Sequence, residues 1–543
     1  MTKTILKSRL ILAPVAALLA ATAYAAAPGI TGPTFNLTAQ EAYLNQPDGA
    51  AVYSWGYGCN GAPSGFAPSA ALMPGTTCPT MQVPGPTLIV TQGQTVTVNL
   101  ANNLPTAAGN TSILFPGFQV ATTGGVTGLL TQEAVPGGTV TYTFTAATPG
   151  THAYYSGTQG DLQVEMGLYG AIVVIPSTIP TACTTGLHAA NLTAEAHWHE
   201  SDFRLAAAAY NHPEACYDRE YLFQWAEMDP NIHKQALAQV TARVGCVVTD
   251  PTCKLEVPTE PYHPAYFLIN GRSMPDLMDP NYAAEYPHQP YNGNPHMHPG
   301  ELTLIRTVGQ GRWQHPFHEH ANHVRILARD GNLILSNTVI PGTTTQALAG
   351  ILMFNTDTTP GQAFDGIFYF TGRGLNWDPY GHHPGDTSDP LATLPCTPDA
   401  NGYNTGDPTA VNFWEWCQDH NKPVEANPFG DVAAGGPATL PNPNVLTNGA
   451  WYGGSPYLGP DASLRGNAPA CVSPTGNTAA NAASQCTNLM PANTQANPSD
   501  ERGWAFMWHS HNEREITTNN VFPGGMLMMM LVDSREFVID ESL

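Results

Sequence analysis

The chain has 543 residues, of which 52 are glycine and 49 proline, only 11% are charged, and the formal net charge is −23. So acidic a protein repels nucleic acid and anionic lipid, which argues against both as partners, and this composition does not read as helical. The length calls for two or three domains.

Lys3, Lys7 and Arg9 precede an apolar stretch from Leu10 to Ala23, and Ala23-Tyr24-Ala25 offers small residues for cleavage. Residues 1–25 therefore read as an export signal, which predicts a periplasmic or extracellular protein. Its removal leaves a net charge of −26. No later stretch is long and apolar enough to span a bilayer.

Thr87-Leu88-Ile89-Val90-Thr91 and Gln94-Thr95-Val96-Thr97-Val98-Asn99-Leu100, separated by the turn signal Gly93, predict two strands. Similar runs recur at Thr139–Phe144, Gly170–Ile175, Tyr266–Ile269, Leu302–Thr307, Val324–Ala328 and Met526–Val532. Many short strands with Gly/Pro turns predict all-β sandwiches. The first is expected over residues 30–178, a connector over 179–215, and the second over 216–543. An insertion at about 398–500, rich in Asn, Pro, Gly and Ala, interrupts the second.

Ten cysteines fall into sequence-near couples, Cys59/Cys78, Cys183/Cys216, Cys246/Cys253, Cys396/Cys417 and Cys471/Cys486. In an exported protein this favours disulfides over catalytic thiols.

Two clusters carry chemistry: His315-Pro316-Phe317-His318-Glu319-His320 and Trp508-His509-Ser510-His511. Side chains alternate along a strand, so His318 and His320 share a face, as do His509 and His511. Adjacent strands would aim four imidazoles at one volume, a donor set that suits copper, zinc, iron or nickel. His323 has the wrong parity for that face if the strand continues unbroken. Three other groups draw plainer readings: His197-Trp198-His199-Glu200 and His296-Met297-His298 as surface or supporting pairs, and His382-His383 as a surface turn. Met526, Met528, Met529 and Met530 read as core filling.

Several stretches resemble the multicopper oxidases of the cupredoxin superfamily, in a two-domain-like form. They are Pro84-Gly85-Pro86-Thr87-Leu88, Asn102-Asn103-Leu104-Pro105, Gly167–Val174, Tyr266–Gly271, Gly300-Glu301, Asp330-Gly331, both histidine clusters and Gly524-Gly525-Met526. The resemblance implies tandem cupredoxin-like Greek-key sandwiches, and in the family a blue-copper centre feeding a trinuclear cluster of four His-X-His pairs. This chain departs from that pattern. Leu114 and Pro116, and Tyr155 and Gly157, stand where two of the pairs belong; Ser510 takes the place of the blue-copper cysteine and Glu515 that of its second histidine.

What the resemblance leaves is copper, with zinc second, at His318, His320, His509 and His511, with His315 matching a blue-copper ligand. The expected function is a copper-dependent oxidoreductase acting on a small reductant or metal ion, with dioxygen a candidate partner. The alternative is a non-catalytic copper-binding or structural surface protein. A zinc hydrolase would need Glu319, Glu513 or Glu515 as base. A homo-oligomer is a candidate assembly, since two-domain relatives often form trimers.

Overall fold

The computed structural model describes residues 27–70, 73, 75–197, 208–370, 394–410, 412–417, 454–455, 503–533, 535 and 539. The predicted signal, His199, Glu200, His382-His383, Cys471, Cys486 and most of the insertion lie outside them.

Alternation builds the first sandwich. In strand Thr95–Asn102 every second residue is buried, with Val96, Val98 and Leu100 wholly inside. That strand lies between Thr34–Asn45 and Thr139–Thr145 in a five-stranded sheet completed by Ala51–Cys59 and Ala121–Gly124. The facing sheet runs Gly150–Tyr155, Tyr169–Ile175, Leu88–Thr91, Gly29–Thr31, Phe66–Ala67. Tyr169–Ile175 is buried along its whole length, so it reads as a continuous apolar run. Parallel pairings of Leu88–Thr91 with both its neighbours mark the crossed-over connections of a Greek key.

The second sandwich packs a sheet of Tyr266–Ile269, Arg219–Met228, Leu302–Gly309, Ala363–Tyr369 and Val324–Arg329 against one of His296–Met297, Leu527–Asp533, Gly503–Ser510, Pro316–Glu319 and Asn355–Asp357. Phe223, Trp225, Phe317, Phe368 and Trp508 fill the space between them, with Met526, Met528 and Met530, as core filling requires. The chain is thus a tandem of Greek-key β-sandwiches, and each predicted strand lies within a residue or two of its predicted place.

Two longer helices were not foreseen, Gly186–His197 within the expected connector and Pro230–Ala242. Helix Pro230–Ala242 begins at Asp229, whose carboxylate accepts the Asn231 N–H, with proline in the first turn. Its Ile232, Ala236 and Val240 pack into the core of the first sandwich, which ties the second unit to the first. Buried polar contacts reinforce that junction: Thr151 donates to Asp365 at 2.6 Å, and Arg306 pairs with Glu220 at 2.7 Å and reaches Thr151.

The cysteines pair as their spacing suggested: Cys59–Cys78, Cys183–Cys216, Cys246–Cys253 and Cys396–Cys417. The last closes the N-terminal part of the insertion. Among the described residues no helix is long and apolar enough to cross a membrane.

Candidate metal centre

Strands Pro316–Glu319 and Gly503–Ser510 are antiparallel neighbours, with Phe317 opposite Ser510 and His318 opposite His509. Directly opposed residues share a face, so register and alternation together bring the two histidine pairs onto one surface. His320 sits diagonally from His509, and His511 donates its backbone N–H to Pro316, diagonally from His318. Ring centroids are 4.6 Å apart for His318 and His320, 5.4 Å for His318 and His509, 5.2 Å for His320 and His509, and 4.8 Å for His318 and His511.

Nitrogens of His318, His320 and His509 all lie within 4.8 Å of one another. The Nε2 atoms of His320 and His509 face each other at 3.2 Å. Two nitrogens on one tetrahedral ion, at bonds of about 2.0–2.1 Å, sit about 3.3 Å apart, so this pair is already spaced as ligands. His509 Nδ1 meets the Ser510 carbonyl at 2.7 Å, an arrangement that puts the ring proton there and leaves the Nε2 lone pair toward the cluster. Burial, reinforced by the neighbouring imidazoles, pushes His318 down to about 4, and burial lowers His509 as well. Both are therefore neutral donors near neutral pH. His511 is the outlier, 52% exposed and 3.6 Å from the exposed Glu513; it borders the cluster.

His315 is not brought to this surface. It lies three residues before His318, on the core side, where it is wholly buried with Nδ1 2.9 Å from Glu515 and Nε2 2.9 Å from Glu227. With carboxylates on both nitrogens it has no lone pair to offer a metal. Ser510 also faces inward, donating to Glu515 at 2.5 Å.

Of the three carboxylates that a hydrolase would use, Glu513 stands at the rim beside His511, and the other two are misplaced. Glu319 is buried on the core side beside Thr356, where burial pushes its carboxyl well above the usual carboxylate range, and Glu515 is taken by His315 and Ser510. The strand breaks after Glu319, Ala321 having φ 85°, so His323 does not follow simple parity. It packs on the Phe354 ring that also touches His318. His296 pairs with Leu531 of the C-terminal strand, and His298 is buried with its N–H on Glu301; neither joins the cluster. His197 ends a helix whose last side chains are outside the description.

On the first sandwich, Leu114 and Tyr155 bridge two strands, with N–H···O distances of 2.7 and 3.3 Å. Leu114 packs into the space beside Gly157, where a Cβ would meet its Cγ at 2.8 Å. They line a cleft of about 540 Å³ with Leu129, Leu130, Val164 and Gln310–Arg312. No sequence pattern pointed to Glu227; its partnership with His315 spans 88 residues.

A multicopper oxidase family profile matches residues 76–178. Laccase abr2 of Aspergillus fumigatus is 35% identical over 98 residues, 18% of this chain and 16% of its own length. Multicopper oxidase MCE of Talaromyces pinophilus is 36% identical over 98 residues, 18% of this chain and 15% of its own. The match thus spans about a sixth of these relatives. The crystal structure of a blue copper oxidase from Nitrosomonas europaea aligns over 92% of this chain and 85% of its own, at 14% identity and a TM-score of 0.42. Residues 76–178 thus match a multicopper oxidase domain, and over that stretch the chain is a divergent relative of the multicopper oxidases.

Proposed function

We propose that the protein is an exported copper-binding oxidoreductase whose metal site is His318, His320 and His509, with His511 at its rim. The observation that carries this reading is the 3.2 Å approach of two Nε2 atoms within a three-imidazole cluster. Copper is the metal the family implies, and neutral imidazoles suit it better than they suit magnesium or calcium. Bound there, copper supplies one-electron redox chemistry. The protein's own part is to hold the His318 and His509 imidazoles neutral and all three imidazoles pre-spaced, with the imidazole of His511 on the solvent side.

His315, Ser510 and Glu515 stand where the resemblance places a blue-copper centre. Their mutual hydrogen bonds occupy the space with carboxylates and a hydroxyl, and no thiolate is offered. With copper bound at His318, His320 and His509, electrons from a small reductant or metal ion would enter at the histidine surface itself, with dioxygen as the acceptor the family implies. Disulfides support an oxidising compartment, periplasmic or extracellular. A homo-oligomer is supported by exposed Ile351, Leu352, Phe354 and Met507 on segments flanking the cluster.

The second reading, copper binding without turnover, draws on Leu114, Tyr155 and Gly157, which offer no imidazole. Copper loading followed by electron paramagnetic resonance and dioxygen uptake with varied reductants separates the two. A non-blue copper signal with reductant-dependent uptake, both lost in a His320→Ala/His509→Ala variant, is expected. A signal without uptake favours the binding protein, and no stoichiometric copper removes both.

A further inference from the structure

On the core side of the histidine strands runs a line of buried ionisable side chains that copper binding does not use. Glu515 Oε2 is 2.9 Å from His315 Nδ1, and His315 Nε2 is 2.9 Å from Glu227 Oε2. Glu227 Oε1 is 3.0 Å from the Tyr262 hydroxyl, which is 2.7 Å from Glu165 Oε2. None of the five residues is more than 9% exposed.

Each contact joins two electronegative atoms away from bulk water, so each requires a proton between them. Four contacts need four protons. A neutral imidazole and a phenol bring two. The geometry shows where the others go. His315 faces a carboxylate through each ring nitrogen, so it donates twice and is an imidazolium. Glu227 Oε1 also receives the backbone N–H groups of Arg312 and Trp313 at 2.8 Å, and Glu515 receives the Ser510 hydroxyl and the Asn512 amide; both are stabilised as carboxylates. Glu165 Oε1 accepts the Asp229 N–H at 2.6 Å. Among the described residues its Oε2 receives no N–H, meeting the Tyr262 oxygen instead.

We propose that Glu165 is held as the protonated acid, donating to Tyr262 while Tyr262 donates to Glu227, and that these five side chains form a buried two-proton store. Charge agrees with this assignment. With Glu165 neutral, the anions Glu227 and Glu515 flank the cation His315, and the Arg312 guanidinium, 4.1 Å over the Tyr262 ring, is shared with Glu260. An ionised Glu165 would add a buried charge beside a phenol oxygen with no proton between them. The other ionisable neighbours are His233, whose Nε2 is 3.1 Å from the Glu165 carbonyl and 3.6 Å from Oε1, the buried Asp229, whose carboxylate accepts the Asn231 and His263 N–H groups, the buried phenol of Tyr169, and Glu260, an exposed partner of Arg312.

The store connects two surfaces. A Cβ on Gly311, which lines the 540 Å³ cleft, would fall 2.4 Å from Glu227 Oε2, so only glycine backbone separates the store from the cleft there. At the other end Ser510 sits between His509 and His511. What the protons serve rests on the copper reading, since reduction of dioxygen to water takes up one proton with every electron delivered by the reductant; their storage does not.

The test uses the copper-free, disulfide-intact full chain, so its failure is independent of whether copper binds. Infrared spectra at neutral pH should show protonated-carboxyl C=O absorption from Glu165 beside that of the buried Glu319. Glu165→Gln, which puts an amide N–H where the acid proton was, should remove one acid's share and leave the ¹⁵N signature of the His315 imidazolium in place. Tyr262→Phe should keep that acid band and move it to higher frequency, because the acid loses its acceptor. Acid absorption unchanged by Glu165→Gln, a band unmoved in Tyr262→Phe, or a neutral His315 at pH 7 would each overturn the proposal.

Discussion

Raising the pH should unload His315 and weaken the fold in a defined window. The Glu227 and Glu515 hydrogen bonds outweigh burial and raise this imidazole from 6.5 to about 9. A folded-state value above the unfolded one means the charged form stabilises the fold: the contribution is complete below about 6.5 and disappears as pH climbs through 9. At about 1.4 kcal/mol for each pH unit between the two values, the loss is roughly 3 kcal/mol, a sizeable part of the ~5–15 kcal/mol typical of a domain. Denaturant midpoints of the copper-free protein, followed from about pH 6 to about pH 10, should fall with an unchanged m-value. The Glu165→Gln background removes any contribution from the acid and leaves that of His315. Glu515→Gln, with one carboxylate fewer, should lose its stability from a lower pH. A midpoint flat across this window, falling only where tyrosines ionise near pH 10, would refute the claim that two carboxylates hold an imidazolium here.

Removing a direct ligand should cost more than the ~10–100-fold in affinity lost when a ligand's hydrogen-bond partner is removed. Calorimetric copper titrations should accordingly show this for His320→Ala and His509→Ala and a smaller loss for the half-exposed His511→Ala; equal losses in all three would sink the ordering. Trp508 is wholly buried and donates to the His320 carbonyl, so Trp508→Ala should cost about 3–5 kcal/mol, measured by chemical denaturation. Gly311 has φ +65° and lies against Glu227, so Gly311→Ala should cost about 1–3 kcal/mol; an unaltered melting temperature would contradict that packing.

The histidine surface was legible because it depends on one rule, alternation, applied to two short segments, and the register of Phe317 with Ser510 then did the rest. Strand Thr95–Asn102 was readable for the same reason, its inward residues being apolar and its outward ones polar. Parity also carries the correction at His315: an odd separation from His318 puts it on the opposite side of the strand, whereas the family pattern had grouped it with the metal ligands. The pairing of His315 with Glu227 and of Tyr262 with Glu165 was invisible, because these residues meet only once both sandwiches have folded. Helix Pro230–Ala242 did carry a local signal, Asp229 followed by proline, but its buried face is recognised only against the first sandwich.

The fit of Leu114 beside Gly157 has a consequence for any attempt to place histidines there. Both occupy positions that the resemblance assigns to histidine, yet position 157 cannot take one alone. Any side chain at 157 would begin 2.8 Å from the leucine Cγ, and a histidine at 114 would abandon the apolar contact while its partner position still carried nothing. Position 114 therefore has to change before position 157 can. A fully liganded first sandwich would thus be reached only through a less stable intermediate, so its present surface is fixed by packing as well as by the identity of its side chains.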